Sequence, residues 1–500
     1  MKNILLSLAT ALLLALSFPP HDLELFAWVA MAPLLLAIRG VRPGAAFSLA
    51  FVAGICSFMG VFYWINTIKG FTYRDFMILG VYLGGYFGIF GLLFGLIDER
   101  MRLPSALTAP ALFVAMEYAR SHAGFMQLPW ALLGHSQYLD LVMVQIASFT
   151  GVFGVSFLVV MSGAALADAA ERGVKAWKSL VLAALALGLS AVYGVSAVLE
   201  TPGGETIKLT VIQGNIPQDV KWNPELIDRH FSKHLQLTEE AARLGPGSLI
   251  VWPESSVPMS FSQEPRKREL IMTLARNTAT PLLLGVSQHP KIGPKDVKAG
   301  WHNSALLISS QGKIEKQYDK IRLLPFAEYL PYRDVIPWPS RLAEAAGHTV
   351  AGTEPVLFDL DGHKFAVLIC WENIFPDVFH RFLRAGANFM VNITNEAWFG
   401  ETAAPYQFLS MSVFRALEGR VSVVRAANTG ISCFIDPYGR VTGRVNHLGK
   451  DVFVEGFLTG ELPISRKKTF YTTHGDVFAL ACVIFSIALV GVSLLGRGRK

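Results

Sequence analysis

In the run Phe365-Ala-Val-Leu-Ile-Cys370-Trp-Glu-Asn373, five apolar residues are followed directly by a cysteine. A short, uninterrupted apolar run of this kind is typical of a strand that is buried on both faces of a sheet. The carboxyl ends of such strands are where open α/β sheets place their ligand sites. The run therefore predicts a buried strand that delivers a nucleophilic thiol, Cys370.

Two other reactive groups stand in comparable surroundings. Glu254 follows an apolar run in Val251-Trp-Pro-Glu254-Ser, and Lys320 ends the polar segment Gln317-Tyr-Asp-Lys320. Taken singly, such residues are more often a turn carboxylate, a surface lysine or a small buried cysteine. Taken together, a carboxylate, an amine and a thiol form a set suited to nucleophilic acyl chemistry.

The pattern from about residue 205 to 470 alternates short β-branched runs with amphipathic segments. This alternation predicts an α/β domain with helices packed on sheets. Strands are expected over 207–213, 248–252, 281–286, 304–308, 365–369, 389–393, 421–425 and 431–435, and helices over 224–243, 264–278, 376–386 and 404–419.

The first 200 residues are organised differently, as a succession of apolar stretches. A helix needs about 20 residues to cross about 30 Å of hydrocarbon. The first stretch could instead be a signal peptide, but it lacks a clear cleavage site and six more stretches follow, so a retained span is expected. Spans are predicted near 3–19, 24–40, 45–67, 76–97, 105–121, 142–167 and 177–198, with an eighth near 475–496.

The distribution of lysine and arginine in the short loops predicts the orientation. With a cytoplasmic amino terminus, most of these residues lie inside and few lie in the outer loops. The predicted domains are then a membrane domain over 1–200 with seven helices, an outer domain over 201–470, and an eighth helix with a cytoplasmic tail over 471–500. In a Gram-negative cell the outer domain would be periplasmic and the membrane the inner membrane.

Composition excludes several classes of function. The net charge of +6 is dispersed and no nucleic-acid motif is present, so nucleic acid is not an expected partner. The four cysteines form no closely spaced pair that could join any of the 12 histidines as metal ligands, and neither a metal nor an organic cofactor is expected. Of the four cysteines, Cys56 and Cys482 lie in predicted spans, which leaves a Cys370–Cys433 disulfide as an alternative to a free nucleophile.

The order Glu, Lys, Cys with these flanks resembles the carbon–nitrogen hydrolase (nitrilase) superfamily. With seven spans before the domain and one after it, the whole chain resembles the apolipoprotein N-acyltransferase family. Ala327 and Trp371 depart from the family pattern, in which Gly and Tyr are more usual. The resemblance implies an α-helical membrane bundle of eight spans and a nitrilase-like αββα sandwich. Its motifs are Gln213-Gly-Asn-Ile-Pro-Gln218 with Lys221-Trp222, Val251-Trp-Pro-Glu254-Ser, Tyr318-Asp-Lys320, Leu324-Pro-Phe-Ala-Glu328-Tyr-Leu-Pro331, Ile369-Cys370-Trp-Glu372 and Asn395-Glu-Ala-Trp398-Phe-Gly400.

The resemblance also implies a mechanism. Cys370 would attack an ester carbonyl of a phospholipid and form a thioester, with Glu254 as general base and Lys320 at the developing oxyanion. Glu328 would orient the lysine or relay protons. Glu372 would brace the site, although a plain turn carboxylate is an alternative for Glu372. The acyl acceptor would be the α-amine of a diacylglyceryl-cysteine at the start of an apolipoprotein.

A transferase of this kind needs an apolar chamber, because an exposed thioester would be hydrolysed. Ordinary core packing is the alternative for each residue of the lining, but Trp222 and Trp398 are favoured because they lie in polar loop motifs. In the membrane part, Glu117, Arg120 and His135 are expected at the interface, ahead of a role in binding a headgroup or anchoring a loop. The candidate lining residues are Trp222, Phe326, Tyr329, Trp371, Trp398 and Phe399.

Three alternatives remain open at the level of sequence. A membrane-bound amidase or nitrilase-like hydrolase would share the first half of the reaction and give the thioester to water, although a tether needs only one span. A transporter with an accessory domain would need charges or broken helices in the middle of several spans, and these stretches hold few charges. A binding module without catalysis is the third.

Overall fold

The computed structural model describes residues 1–98, 103–221, 223, 225–245, 247–261, 263–288, 300–465 and 467–495. These form two compact units that are interleaved along the chain. The first unit comprises Met1–Thr201, Thr402–Glu418 and Thr469–Lys500, and the second comprises Pro202–Glu401 and Gly419–Lys468. The segment Thr402–Glu418, which lies within the predicted outer domain, thus belongs to the first unit.

The helices and strands are numbered in chain order. The helices are α1 (Lys2–Leu16), α2 (Ala27–Ile38), α3 (Pro43–Val61), α4 (Tyr73–Asp98), α5 (Ser105–Ser121), α6 (Ala147–Thr150), α7 (Val152–Arg172), α8 (Trp177–Leu199), α9 (Ile227–Arg243), α10 (Pro265–Thr278), α11 (Ser340–Ala345), α12 (Pro376–Arg384), α13 (Ala404–Gly419), α14 (Phe470–His474) and α15 (Val477–Leu495). The strands are β1 (Thr206–Gln213), β2 (Leu249–Val251), β3 (Val257–Ser260), β4 (Leu282–Gln288), β5 (His302–Ile308), β6 (Ile314–Asp319), β7 (Leu357–Leu360), β8 (His363–Ile369), β9 (Phe389–Thr394), β10 (Ser422–Ala427), β11 (Cys433–Ile435), β12 (Val441–Arg444) and β13 (Gly456–Pro463).

Several helices of the first unit are candidate membrane spans. Four stretches of the described chain are long and apolar enough to cross a membrane, and the longest contains both α7 and α8. The helices α1 and α2 are apolar but shorter. The predicted total of eight spans is therefore not confirmed. The four stretches are Pro43–Val61, Tyr73–Ile97, Val152–Leu199 and Val477–Leu495.

One predicted span differs from the structure in its starting point. The stretch 142–167 was expected to be a single helix, but α7 begins only at Val152. Gly151 precedes it with φ +63°, a left-handed backbone conformation that ends the short helix before it. Residues 142–150 instead form a 3-10 turn and α6, so the helical part of this stretch is shorter than the apolar part.

The helices α3 and α4 pack closely through small residues. A Cβ added at Gly91 of α4 would lie 2.5 Å from the Cβ of Ala50 and 2.6 Å from the carbonyl oxygen of Ala46. A Cβ at Gly84 would meet Ile55 at 2.6 Å. Small residues that allow two backbones to approach are the usual means by which helices associate within a membrane.

A buried amide on the helix α13, that of Gln407, bonds to four groups elsewhere in the first unit. Its Oε1 accepts hydrogen bonds from the indole N–H groups of Trp64 at 3.1 Å and Trp130 at 2.9 Å. Its Nε2 donates to the carbonyl oxygens of Val61 at 2.9 Å and Pro19 at 3.4 Å. The amide thus uses both of its donors and both lone pairs of its oxygen.

The second unit is an α/β domain built on two sheets. The first sheet has the strand order β13-β1-β2-β4-β5-β6, with β3 paired to β4, and the second has the order β12-β11-β10-β9-β8-β7. The sheets face each other, with β1 against β10 and β5 against β8. Helices α9 and α10 cover the first sheet, and their apolar side chains share a core with its strands. This is the two-sheet, nitrilase-like part of the predicted fold.

All eight predicted strands and all four predicted helices of this region are present, with small shifts at their ends. The parallel strands β8, β9 and β10 are buried along nearly their whole length, which explains their continuous apolar runs. Five further strands were not predicted from the sequence: β3, β6, β7, β12 and β13. The strand β6 reads Ile-Glu-Lys-Gln-Tyr-Asp and is largely exposed, so it carries no apolar signal.

Replacing Gln407 with leucine should destabilise the first unit. Each buried polar group left without a partner costs about 1–3 kcal/mol, and the change removes the partner of two indoles and two carbonyls. We expect the midpoint of thermal unfolding of the detergent-solubilised protein to fall by several degrees. The matched control is Gln311→Leu, because Gln311 is exposed and bonds only to a neighbouring serine in the described structure. Equal midpoints for Gln407→Leu and the unsubstituted protein would contradict this role.

Candidate active site

Cys370 occupies a sharp turn at the end of β8. It begins a short 3-10 turn, Cys370–Ile374, and has φ +52°. A left-handed conformation at a residue other than glycine is strained and costs about 1–3 kcal/mol. The neighbouring parallel strand β9 ends at Thr394. The thiol is therefore delivered where the carboxyl ends of two central strands meet, as its sequence position predicted.

The thiol of Cys370 is kept protonated by its surroundings. Burial raises its pKa, and the negative charge of Glu254 adds to the rise, while the charge of Lys320 and a hydrogen bond from Thr394 oppose it. A thiol of this kind needs a base when it reacts, because little thiolate exists beforehand. Cys433 lies buried in β11, and both cysteines are free thiols, so the alternative of a disulfide between them is wrong.

Glu254 lies two residues beyond the apolar run that contains β2, and both of its carboxylate oxygens are held. Oε1 accepts a hydrogen bond from the Asn303 side-chain amide at 2.7 Å, and Oε2 accepts one from the main-chain N–H of Asn395 at 2.8 Å. The carboxylate side chain is only 9% exposed. Donors on both oxygens hold its orientation while it remains close enough to Cys370 to affect the thiol pKa.

The turn that carries Glu254 requires a glycine on the neighbouring strand. A Cβ added at Gly285 of β4 would lie 2.5 Å from the carbonyl oxygen of Pro253 and 2.6 Å from the Cα of Glu254. Both atoms belong to the backbone, so neither can rotate away. Ser255, which follows, has φ +51°. The missing side chain of Gly285 thus sets how closely the Glu254 turn approaches the sheet.

Lys320 follows β6 directly and is fully buried with two carboxylates. Its Nζ lies 2.8 Å from Oε1 of Glu328 and 4.0 Å from Oε1 of Glu254. Burial alone would lower the pKa of the lysine, but the negative charges of Glu328 and Glu254 outweigh it and raise the pKa. Lys320 is therefore a permanent cation. Glu328 is itself fixed, since its Oε2 accepts from the N–H of Leu324 at 2.7 Å.

Glu372 is a buried carboxylate that joins two loops of the site. Its Oε1 accepts from the Tyr318 hydroxyl at 2.7 Å and from the N–H groups of Ile321 at 2.7 Å and Arg322 at 3.0 Å. Its Oε2 accepts from the N–H of Ile369 at 2.8 Å. Burial raises its pKa, and these donors oppose the rise. The geometry is that of a clamp between the segment after Lys320 and the segment before Cys370, and not that of a solvated turn residue.

The loop after β9 supplies groups that the sequence did not single out. Asn395 donates through Nδ2 to Gln218 at 2.9 Å and accepts from the Asn428 amide at 2.9 Å. The next residue, Glu396, forms a fully buried ion pair with Arg425. Burial raises the pKa of Glu396 to about 7 despite that arginine. These bonds fix the loop whose N–H holds Glu254.

The supporting asparagines had no distinguishing signal in the sequence. Asn303 donates to Glu254 and, at 3.3 Å, to Glu328, yet it stands at the start of a strand like any polar residue. Asn395 was visible only as part of the Asn395–Gly400 motif. Lys221 was visible only beside Trp222, but its Nζ donates to the main-chain carbonyl of Glu254 at 3.3 Å.

The candidate lining residues have mixed surroundings. Trp222 lies outside the described residues. Phe326 and Tyr329 are half-buried in the loop that carries Glu328, where the N–H of Phe326 donates to the carbonyl of Tyr329. Trp371 is buried and packs edge-on against Phe375. Trp398 has half of its surface exposed, and Phe399 beside it is half-buried.

Glu117, Arg120 and His135 of the first unit are buried and bond to one loop. Oε1 of Glu117 accepts from the N–H of Leu133 at 2.6 Å. Arg120 donates to the carbonyls of Trp130 and Ala131 at 2.9 and 3.3 Å. His135 is also buried and accepts at Nδ1 from the N–H of Leu132. These bonds anchor the loop of residues 130–135, the role ranked second from the sequence.

The structure thus brings together a protonated thiol, an oriented carboxylate and a fixed ammonium from three strand ends. Glu254 can accept the thiol proton, and Lys320 can stabilise negative charge that develops near both. The first turn after Cys370 also presents main-chain N–H groups close to the nucleophile. This combination suits acyl transfer through a covalent intermediate.

Comparisons with known proteins show which families the chain matches. Residues 208–457 match the family model of the carbon–nitrogen hydrolases, and residues 10–165 match that of the apolipoprotein N-acyltransferase N-terminal domain. The apolipoprotein N-acyltransferase of Geobacter metallireducens is 38% identical over 96% of this chain and 93% of its own. That of Chlorobaculum tepidum is 28% identical over 96% and 95%. A crystal structure of an amidase from Nesterenkonia sp. is 18% identical, with a TM-score of 0.40, over 55% of this chain and 95% of its own.

The second unit therefore contains a carbon–nitrogen hydrolase domain, an enzyme fold. The chain as a whole belongs to the apolipoprotein N-acyltransferase family, because its relative from Geobacter metallireducens matches along nearly the full length of both. The expected family is confirmed, and it favours an acyltransferase over the hydrolase, transporter and binding-module alternatives. The family and the apolar helices together identify a membrane protein.

Replacing Gly285 with alanine should strain the turn that carries Glu254. The new methyl group would overlap backbone atoms of Pro253 and Glu254, and overpacking of this kind costs about 1–3 kcal/mol. We expect a lower midpoint of unfolding, measured by thermal denaturation in detergent. The matched control is Gly203→Ala, because a Cβ at Gly203 would meet no atom within 4 Å. A stability equal to that of the control would show that the turn can move away without cost.

Proposed function

We propose that this protein transfers a fatty acyl chain from a phospholipid to the α-amine of the diacylglyceryl-cysteine of an apolipoprotein. The observation that carries the proposal is the half-buried Cys370 beside the buried Glu254 and Lys320, in a chain of the apolipoprotein N-acyltransferase family. The names of the relatives support a lipoprotein as acceptor. The apolar helices support a donor that is itself a membrane lipid.

In the first half of the reaction Cys370 attacks the ester carbonyl of the donor. Glu254 takes the thiol proton, and the developing oxyanion is stabilised by Lys320 and a main-chain N–H. When the tetrahedral intermediate collapses, the lysophospholipid leaves with that proton and the acyl group remains as a thioester on Cys370. Glu328 keeps the ammonium of Lys320 in place through the bond of 2.8 Å.

In the second half the acceptor amine attacks the thioester. Glu254 removes a proton from the amine, and Cys370 leaves as the thiol that started the cycle. An α-amine has an unperturbed pKa near 8, so a single carboxylate base is sufficient. Glu372 contributes by holding the segments before Cys370 and after Lys320 together. Trp222, Phe326, Tyr329 and Trp398 are proposed to line the path of the substrates.

The proposed topology has eight spans in a bacterial inner membrane and the domain of residues 201–470 on the periplasmic side. The four long stretches contain five helices, because one stretch holds both α7 and α8, and the shorter helices α1, α2 and α5 would bring the count to eight. The distribution of positive charge in the short loops supports a cytoplasmic amino terminus. A periplasmic site would face the compartment in which lipoproteins and the outer leaflet are both accessible.

A hydrolase is the alternative that the site chemistry allows, because the first half of the reaction would be the same. Water would then replace the amine in the second half. Cys370 is only half-buried, so the exclusion of water depends on groups around it. The two functions therefore differ in what discharges the thioester, and an experiment must follow that step.

Incubation of the purified protein with phospholipid should add the mass of one fatty acyl group, which hydroxylamine removes. Cys370→Ala and Cys370→Ser should gain no such mass, and Glu254→Gln should gain it about 10²–10⁴ times more slowly. Intact-mass spectrometry measures the gain. A diacylglyceryl peptide should discharge the thioester and itself become acylated.

The matched control is Glu315→Gln, which removes an exposed carboxylate from β6 and should leave acylation unchanged. Discharge by water at the same rate as by the peptide would favour the hydrolase. The absence of any added mass on folded, unsubstituted protein would remove Cys370 as the nucleophile.

The topology predicts which side of the membrane labels a surface cysteine. Gln311→Cys, in a background with Cys56→Ser, places a thiol on the exposed surface of the second unit. A membrane-impermeant maleimide should label it in intact spheroplasts without permeabilisation. Labelling only after permeabilisation would place the domain in the cytoplasm and contradict the proposed orientation.

A further inference from the structure

A second buried lysine, Lys221, lies in the candidate site and has no role in the steps above. Only 3% of its surface is exposed. Its Nζ donates to the main-chain carbonyl of Glu254 at 3.3 Å. It therefore contacts the same turn that packs against Gly285 of β4. Burying an ammonium is costly unless it is paired, so a lysine in this position calls for a compensating interaction.

The charge of Lys221 acts on four titratable groups: Glu254, Cys370, His230 and His234. Both histidines belong to α9. Burial lowers the pKa of His230, and it lowers that of His234 to about 4. Neither ring therefore carries a positive charge of its own at neutral pH. Glu254 and Cys370 are the two acidic groups whose charges act on the ammonium in the described structure.

Lys221 adds a second positive charge to the set formed by Glu254, Lys320 and Glu328. Lys320 pairs with Glu328 at 2.8 Å, closer than its 4.0 Å to Glu254. When the Cys370 proton moves to Glu254, the thiolate and Glu328 carry two negative charges against the one positive charge of Lys320. A second cation would restore neutrality in a region where unpaired charge is costly.

We propose that Lys221 is a positioning residue for acyl transfer, which fixes the Glu254 turn through its carbonyl and supplies the second positive charge that the Cys370 thiolate requires. The inference rests on the proposed function and deepens it. It extends the set of working residues from Glu254, Lys320 and Cys370 to a fourth, contributed by the segment between β1 and α9.

The ionisation of Lys221 gives this role a distinctive signature. Burial lowers its pKa to about 8, although the charges of Glu254 and Cys370 oppose the fall. The ammonium is thus charged at neutral pH and loses its charge as the medium becomes alkaline. Below the thiol pKa, the alkylation rate of an isolated cysteine rises tenfold per pH unit, in proportion to its thiolate. Loss of a neighbouring cation near pH 8 should make the rise shallower there.

The experiment measures the rate at which iodoacetamide alkylates Cys370 in the full-length, detergent-solubilised protein between about pH 6.5 and 9.5. All variants carry Cys56→Ser, because Cys56 is exposed, and the Cys370 peptide is followed by mass spectrometry. The unsubstituted site should show the shallower rise near pH 8. Lys221→Met should react at least about threefold more slowly at pH 7 and show a uniform slope.

Lys221→Arg provides the conservative variant, because an arginine stays charged throughout this range. It should keep the rate at pH 7 within about twofold and lose the bend near pH 8. The matched control is Lys208→Met, since Lys208 donates to the carbonyl of Gly245 at 3.1 Å but is exposed. Its profile should match that of the unsubstituted site.

Two results would overturn the inference. One is a profile for Lys221→Met that superimposes on the unsubstituted one. The other, decisive even where the methionine variant does not fold, is a bend that persists in Lys221→Arg. The proposed function fails separately, since it is refuted by unsubstituted protein that gains no acyl mass from phospholipid. Normal acylation and an unchanged profile in Lys221→Met would refute the role of Lys221 alone.

Discussion

The site depends on holding one desolvated carboxylate, that of Glu254, beside a thiol that must stay protonated until it reacts. Each oxygen of Glu254 has its own neutral donor, Asn303 on one side and the N–H of Asn395 on the other. Neutral donors orient the carboxylate without adding a positive charge beside it. Lys320, whose Nζ lies 4.0 Å from Oε1 of Glu254, is bound more closely by Glu328 at 2.8 Å. Neutral groups thus orient Glu254, while the charge of Lys320 is paired mainly with Glu328.

The fold of the second unit was largely predictable because its buried strands contain continuous runs of apolar residues. Strands such as β8 and β9 are buried on both faces, which favours apolar side chains at successive positions. The strands that were missed, such as β6 and β12, lie at sheet edges or face solvent, where polar residues are acceptable. Helix lengths in the first unit were harder to predict, because apolar composition continues through turns such as that at Gly151.

The reactive residues were also predictable, since a thiol or a carboxylate just beyond an apolar run is conspicuous. The groups that make them usable were not. Asn303 and Asn395 contact Glu254 from distant parts of the chain. Asn303 is 49 positions away from Glu254 in sequence, and Asn395 is 141 positions away. Local pattern carries no information about such partners. The role of Gly285 was also not predictable from local sequence. It leaves room for backbone atoms of Pro253 and Glu254, which lie on another segment of the chain.

The assignment of α13 to the first unit has a consequence for how such a protein can be divided. The chain leaves the second unit after Glu401 and rejoins it at Gly419. No single cut therefore separates the two units, and a fragment spanning 202–468 would carry α13 without the indoles and carbonyls that bind Gln407. The catalytic domain is thus not a transferable module, and gene fusion or domain exchange at its ends would leave a helix of its neighbour inside it.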